Sequence, residues 1–287
     1  MVYLVVVSFL WAFSFGLIKG RLAGIDSSFI SAARLLLALF VFLPFLRLRG
    51  LRAKIAAALA GIGAVQFGLM YLAYNESFRY LAAWQVALFT ITTPVLVTLL
   101  ADALDRRFRP RALGAALLAV AGTAVIVWQA PGGTLTGVLL VQLSNLAFAA
   151  GQILYRRVRQ WPGLPTERQS FAWLYLGGFV VAAAALFTRG DLTITLNGSH
   201  LMTLAYLGLI ASGLGFFLWN KGALQVNAGV LAVMNNAKVP LAVACSLLFF
   251  GESANLPRLL ASLALLGAGV WLAGTGAAST RSAPPPS

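Results

Sequence analysis

Carboxylates are scarce in this sequence. Seven Asp and Glu stand among 287 residues, beside one histidine and one cysteine. Each shortage excludes a class of chemistry. A hydrolytic metal site needs clustered His, Cys or acids, and the lone His200 is expected in a loop. An intramembrane aspartyl dyad needs two carboxylates inside apolar runs, whereas all seven lie in loops or at run ends. The only cysteine, Cys245, cannot close an intrachain disulfide and says nothing of redox compartment. No Gly-x-Ser-x-Gly elbow supplies a nucleophile. No Gly-x-x-x-x-Gly-Lys-Ser/Thr loop supplies a phosphate cradle, so the chain is not itself an ATP-driven pump. An enzyme is disfavoured and no cofactor or metal is implied.

Charge as a whole is also short. Only 10% of residues are charged and 60% are hydrophobic, against roughly a quarter charged in soluble domains. A water-facing surface of ordinary size cannot be built from this composition, so the missing surface must face lipid. The net charge of +14 does not point to nucleic acid, because the basic residues cluster in short segments between apolar runs, as cytoplasmic loops do.

A bilayer core about 30 Å thick takes roughly 20 apolar residues in helix, and buried backbone groups must be satisfied within the span. Ten such runs are present: 2–18, 28–46, 55–75, 81–101, 112–129, 135–155, 171–187, 201–220, 228–250 and 259–275. They are too long and too unalternating for barrel strands. Met1 leads straight into the first run, without a basic start or a small-residue cleavage site, so that run is read as a span. The proline-rich end, 281–287, reads as a disordered tail.

With both termini in the cytoplasm, fourteen Lys and Arg fall in inside segments and five outside, with Arg34 and Lys238 within spans. That bias sets the expected orientation. The order of features repeats. Asn75 and Asn220 end comparable runs, Pro94 and Pro240 sit 146 residues apart in the next ones, and Gly122 and Gly269 follow. The expected fold class is therefore all-α integral membrane, with ten transmembrane helices in two five-helix repeats, residues 1–132 and 133–280. Five is odd, so the second repeat enters the membrane in the opposite sense. Inverted repeats place a site near the midplane between halves.

Four stretches carry a family resemblance: LWAFSFGLIKG at 10–20, YLAYNESFRYLAAWQVALFTITTPVLVTLLA at 71–101, ALGAALLAVAGTAVIV at 112–127, and the stretch from Tyr206 to Glu252. Their order and spacing resemble the drug/metabolite transporter superfamily, in its ten-span branch. The pattern is most similar to bacterial amino-acid exporters, including the aromatic amino-acid exporter group. That resemblance implies export of small amino acids or similar metabolites by alternating access, in the bacterial inner membrane. The alternative is export of another small solute or drug within the superfamily. Many relatives carry a Glu shortly before the ninth-span proline. Here Asn236 to Pro240 reads Asn-Ala-Lys-Val-Pro, so the sign of charge at that site differs.

The residues themselves mark a candidate site. Lys238 lies near the middle of its run, where a charge costs roughly 2.5–3.5 kcal/mol on insertion scales. It should face the bundle interior. Asn235 is one helical turn earlier, and Pro240 frees a backbone carbonyl nearby. Together they suit a substrate carboxylate. A structural Lys bonded to helix carbonyls is the other reading. Thr92 and Thr93, beside Pro94, are the neutral counterparts in the first half, and Pro94 and Pro240 are candidate hinges. The sixth run has a stripe at Gln142, Asn145, Ala149, Gln152 and Arg156, polar but for the alanine and flanked by Phe148. Spacings of three and four keep it on one face, lining either a cavity or a neighbouring helix. Gln66, Met70 and Tyr74 do the same at spacing four in the third run, with Tyr71 and Asn75 adjacent, and Trp11 offers an apolar wall from the first.

Other features read as structural. Trp84, Trp128 and Trp219 default to interfacial anchors. Arg34 is expected to snorkel outward, to pair with Glu76 or Asp26, or to gate the site. The small pairs Ala115/Ala119, Gly208/Ser212, Ala211/Gly215 and Ala264/Ala268 are taken as packing. Lacking a mid-span carboxylate, the chain is a poor candidate for a lipophilic-cation pump, and uncoupled or gradient-driven exchange is expected.

Overall fold

The computed structural model describes residues 1–127, 134–191, 193–249 and 256–278. The tail at 281–287 and Trp128 lie outside them. Every regular element among the described residues is a helix.

The first apolar run is broken at Phe13 into α1 (Val2–Ala12) and α2 (Ser14–Arg21). Helix α3 (Ser27–Phe42) starts at Asp26, whose carboxylate accepts from the amides of Ser28 and Phe29. Two otherwise unpaired N-terminal donors are thereby satisfied. Helices α4 (Ala53–Gly63) and α5 (Met70–Ser77) are joined without interruption by a π-helical segment, Ala64–Leu69. Helices α6 (Ala83–Thr90) and α7 (Thr93–Asp105) are separated at Ile91 and Thr92, with Pro94 in the first turn of α7. Proline lacks the N–H that would continue the ladder. Helix α8 (Pro110–Val127) closes the first half.

The second half opens with α9 (Leu135–Val158), capped by Thr134. Helix α10 (Glu167–Arg189) begins with a capping box between Thr166 and Gln169, which extends it beyond the expected 171–187. Helix α11 (Gly198–Ala205) starts with a second box, Asn197 with His200, so His200 belongs to a helical turn and not to a loop. A π-helical segment, Tyr206–Leu214, joins it to α12 (Gly215–Ala223). Helix α13 (Ala228–Phe249) continues through Pro240, unlike the break before Pro94. Helix α14 (Leu256–Ala278) ends the bundle.

Among the described residues, seven helical stretches are long and apolar enough to cross a membrane. Large apolar side chains such as Phe40, Leu139, Val180 and Trp271 are exposed around the bundle, as a lipid-facing surface requires. Polar side chains turn inward instead: Ser8, Arg34, Gln66, Asn145, Gln152 and Asn235 are all buried.

Glycines set the closest crossing. A Cβ on Gly63 would fall 1.8 Å from the Leu174 carbonyl oxygen, and one on Gly177 would fall 1.9 Å from that of Ala60. Backbone meets backbone where α4 crosses α10. Helix α8 meets α14 through fully buried Ala115 and Ala119, but the facing residues on α14 are Ser262 and Gly269. Ala264 and Ala268 are exposed, which corrects their reading as packing residues.

Charged side chains sort into two ends. At one, Arg157 bonds Asp105 at 2.8 Å, Arg109 bonds Asp102 at 2.7 Å, and Lys54 lies over Trp161. At the other, Lys19 donates to the Phe78 carbonyl at 2.7 Å and Arg21 to Ser199 at 2.7 Å. These pairings join segments of one expected side and never mix the two.

Candidate functional site

A cavity of about 70 Å³ lies at the centre of the bundle, room for several waters by the volume one water needs. Of the residues marked from the sequence, Lys238, Trp11, Tyr74, Thr93, Asn145 and Phe148 line it. Met70 and Tyr71 of the third run's candidate face line it too, with Arg34, and so do Ser144 and Phe216, to which no sequence pattern pointed.

The break between α6 and α7 organises one side. It leaves the Phe89 carbonyl without its usual helical donor. Thr92 Oγ1, Gln142 Nε2 and Asn145 Nδ2 all reach that oxygen, at 3.2, 3.0 and 2.9 Å. Asn236 from α13 takes the Ile91 carbonyl at 3.0 Å. The Thr92 proton has a second acceptor in Gln142 Oε1 at 2.8 Å, and goes to one of the two at a time. The stripe on α9 is therefore split by depth: Asn145 faces the cavity, while Gln142 and Thr92 hold the broken helix.

Aromatic rings form the opposite wall. Trp11 lies 4.8 Å from Phe216, 4.8 Å from Trp219 and 5.8 Å from Phe148, centre to centre. Its indole N–H donates to the Ala211 carbonyl at 2.9 Å. The π-helical segment makes that carbonyl available, because widening the turn disturbs the ordinary ladder. In the same segment Tyr175 donates to the carbonyls of Ser212 and Gly213 at 2.7 and 2.9 Å. Lys238 Nζ lies 5.6 Å from the Trp11 ring centre, so the cation rests against the aromatic wall.

Besides Thr92, Gln142 and Arg156, four residues marked as site candidates lie outside the lining. Asn235, 1% exposed, donates to the Leu231 carbonyl at 2.8 Å and accepts from Gln152 at 3.4 Å. Gln152 in turn accepts from the Trp219 indole at 3.0 Å. Gln66 donates to Asn220 at 3.3 Å, and Asn75 to Ser31 at 2.8 Å. These amides bind helix to helix. Gln66 is also held against α9 by Gly151, where a Cβ would fall 2.1 Å from its own Cβ.

Three readings are corrected here. Trp219 is 1% exposed, a core residue and not an interfacial anchor. Ser212 is a hydrogen-bonding residue as well as a small one. Arg34 is 3% exposed and neither snorkels nor pairs with an acid. Glu76 bonds Ser27 and Arg79, and Asp26 is spent as a helix cap. Arg34 instead donates to Tyr71 at 2.8 Å and to Ser212 at 3.3 Å, with its guanidinium carbon 4.1 Å from the Tyr71 ring centre. Trp84 lies in α6, but its side chain is outside the described ones.

A chemistry follows from this arrangement. Two cationic side chains, Arg34 and Lys238, share one cavity, and no carboxylate lines it among the described residues. No group of acids, His and Cys suited to a metal is found among them either.

Comparison with known proteins gives the family. The chain is 45% identical over 275 residues to a probable biotin transporter of Pseudomonas aeruginosa, covering 94% of this chain and 96% of that one. It is 39% identical over 279 residues to biotin transporters of Salmonella typhimurium and Escherichia coli, covering 95% of this chain and 92% of each. These relatives differ in named cargo from the amino-acid exporters that the motifs suggest. A solved crystal structure shares the fold at TM-score 0.75 and 18% identity, with 94% of each chain covered. The EamA-like transporter family matches in two successive stretches, residues 1–128 and 135–275, and the chain belongs to that family: it is a multi-pass membrane transporter of the drug/metabolite superfamily, not an enzyme.

Proposed function

We propose that this chain carries biotin across the inner membrane by alternating access through the central cavity. The observation that carries the reading is the charge of the lining: Lys238 and Arg34 with no carboxylate among the described residues, along a wall of Trp11, Phe148 and Phe216. Biotin has one carboxylate, an apolar chain and ring, and no cation. An amino acid brings an ammonium group that finds no acid here, and burying it unpaired is costly. The relatives named biotin transporters point the same way. Lys238 holds the carboxylate, and the rings cover the aliphatic part. Thr93, Ser144 and Asn145 supply polar contacts on the other side.

The ten-span reading stands behind this one. Seven stretches are long and apolar enough to span, and α6 with α7, α8, and α13 complete the count. Two family matches of similar length support two repeats. The pairing of basic residues into two separate ends supports the orientation with both termini inside. Biotin is larger than the waters this cavity holds, so loading requires the aromatic wall to open. The breaks at Phe13 and at Ile91–Thr92 and the two π-helical segments are the places to flex.

The test is counterflow in proteoliposomes. Vesicles loaded with unlabelled biotin should accumulate labelled biotin, and vesicles loaded with amino acids should not accumulate labelled amino acids. Amino-acid counterflow without biotin counterflow would overturn the proposal in favour of the cargo suggested by the sequence motifs.

A further inference from the structure

The hydrogen bonds around Arg34 can be accounted for, and one of its three nitrogens is left without a partner. Ser212 Oγ donates to the Leu207 carbonyl at 2.6 Å. A serine hydroxyl has a single proton, so in the 2.7 Å contact between Tyr71 and Ser212 the tyrosine donates. The Tyr71 oxygen accepts from Arg34 Nη2, and Ser212 Oγ also accepts from Arg34 Nε. The Nε/Nη2 edge of the guanidinium is thus committed to two neutral oxygens. Arg34 Nη1 is buried and has no hydrogen-bond partner. A buried charged donor without an acceptor is an expensive feature, and this one borders the cavity.

Its position relative to Lys238 gives it meaning. Arg34 lies against the Tyr71 ring, Tyr71 is 5.8 Å from Phe216, Phe216 is 4.8 Å from Trp11, and Lys238 lies against Trp11. One run of aromatic contacts thus joins the two cations, and both line the same cavity. A molecule held there meets both.

We infer that Arg34 is the specificity-determining residue for the urea end of the substrate, its Nη1 donating to the ring carbonyl oxygen while Lys238 holds the carboxylate. This rests on biotin as the cargo. Biotin has a single carboxylate, which Lys238 takes, so the unpartnered Nη1 of Arg34 is left for the neutral carbonyl oxygen at the other end of the molecule. The pinning of Arg34 by two hydroxyls keeps it in place before substrate arrives. An analogue without the urea leaves Nη1 unpaired in a closed site and is rejected for that reason.

The experiment measures binding of labelled biotin to the purified full-length protein, with three competitors. Desthiobiotin keeps urea and carboxylate, lipoic acid keeps the carboxylate chain without the urea, and biotin amide keeps the urea without the carboxylate. Arg34→Gln should shrink the preference for desthiobiotin over lipoic acid by about 10- to 100-fold, leaving its preference over biotin amide intact. Lys238→Gln should do the reverse. Tyr71→Phe keeps the ring but unpins Arg34, and should shrink the lipoic acid gap in the same direction should Arg34→Gln not fold. An unchanged lipoic acid gap in the folded variants overturns the inference. So does a collapse of the biotin amide gap in Arg34→Gln, which would give the carboxylate to Arg34. Absence of biotin binding and counterflow by the unaltered protein is a different result, and sinks the cargo itself.

Discussion

The Trp11 indole N–H donates to the Ala211 carbonyl oxygen at 2.9 Å, tying the first helix to the π-helical segment of the second half, 200 residues away. The bond has two consequences. It fixes the ring against Phe216 and Lys238, and it satisfies a buried carbonyl. Trp11→Phe keeps an aromatic wall and removes the donor. An acceptor left unsatisfied in the interior costs about 1–3 kcal/mol. The variant should therefore fold with lower thermal stability in detergent and transport more slowly. Wild-type melting and wild-type uptake together would show that the bond is dispensable.

Lys238 is predicted to dominate carboxylate binding. Lys238→Met removes the charge and keeps much of the apolar stem. Losing one charge-assisted hydrogen bond costs about 1.5–3 kcal/mol, so biotin affinity should fall by about 10- to 100-fold. Affinity for biotin methyl ester should barely change, since it has no charge to lose. Lys238→Arg should recover only part of the affinity, because a planar fork does not replace a compact ammonium on the same stem. Equal losses for acid and ester would assign Lys238 to packing.

What the sequence made legible follows from what periodicity can see. Lys238, Asn145 and Trp11 stand out because a charge, an amide or an indole deep in an apolar run needs a reason. Arg34 is as buried as any of them, yet its partner Ser212 lies 178 residues away. Snorkelling is a property of one helix, whereas its burial is made by two. The amides show the converse limit. Gln66, Gln152 and Asn235 have the composition of a binding face, but each finds its partner on another helix or on its own backbone. Nothing in a helical stripe separates those cases. The π-helical segments at Ala64–Leu69 and Tyr206–Leu214 were also invisible, because their apolar, glycine-containing sequences resemble ordinary spans. They follow from the packing of α10 and from the carbonyls that Trp11 and Tyr175 claim.

The crossing of α4 and α10 gives a prediction about folding. A Cβ on Gly63 would meet the Leu174 carbonyl carbon and oxygen at 2.4 and 1.8 Å. Those atoms belong to a helix backbone and cannot rotate away. Gly63→Ala must push the helices apart, at about 1–3 kcal/mol or more. The π-helical segment that follows Gly63 carries Gln66, so the distortion should reach the site. Reduced yield of monodisperse protein and a lowered melting temperature are expected. Gly61→Ala on the same helix meets nothing within 4 Å, and should behave as wild type. Equal behaviour of the two variants would contradict the close crossing.

At the end of the bundle that carries α7 and α8, Asp105 bonds both Arg157 and Arg109. The hydrogen bond from Arg157 does most to hold its carboxyl below the usual carboxylate range, burial opposes it, and Arg109 adds to the lowering. A carboxyl with a depressed folded pKa stabilises the protein above its unfolded value, about 3.9, and loses that contribution as pH falls through the lower folded value. The pairs are substantially exposed, so the effect should be small, under about 1 kcal/mol, and weaker in high salt. Melting in detergent at low ionic strength should fall on acidification below about pH 4, and Asp105→Asn should flatten part of that fall. The variant should also be less stable than wild type at pH 7, where the carboxylate is ionised in both states. An acid profile identical in the two proteins, at low salt, would mean that these arginines contribute nothing to holding α7 against α9.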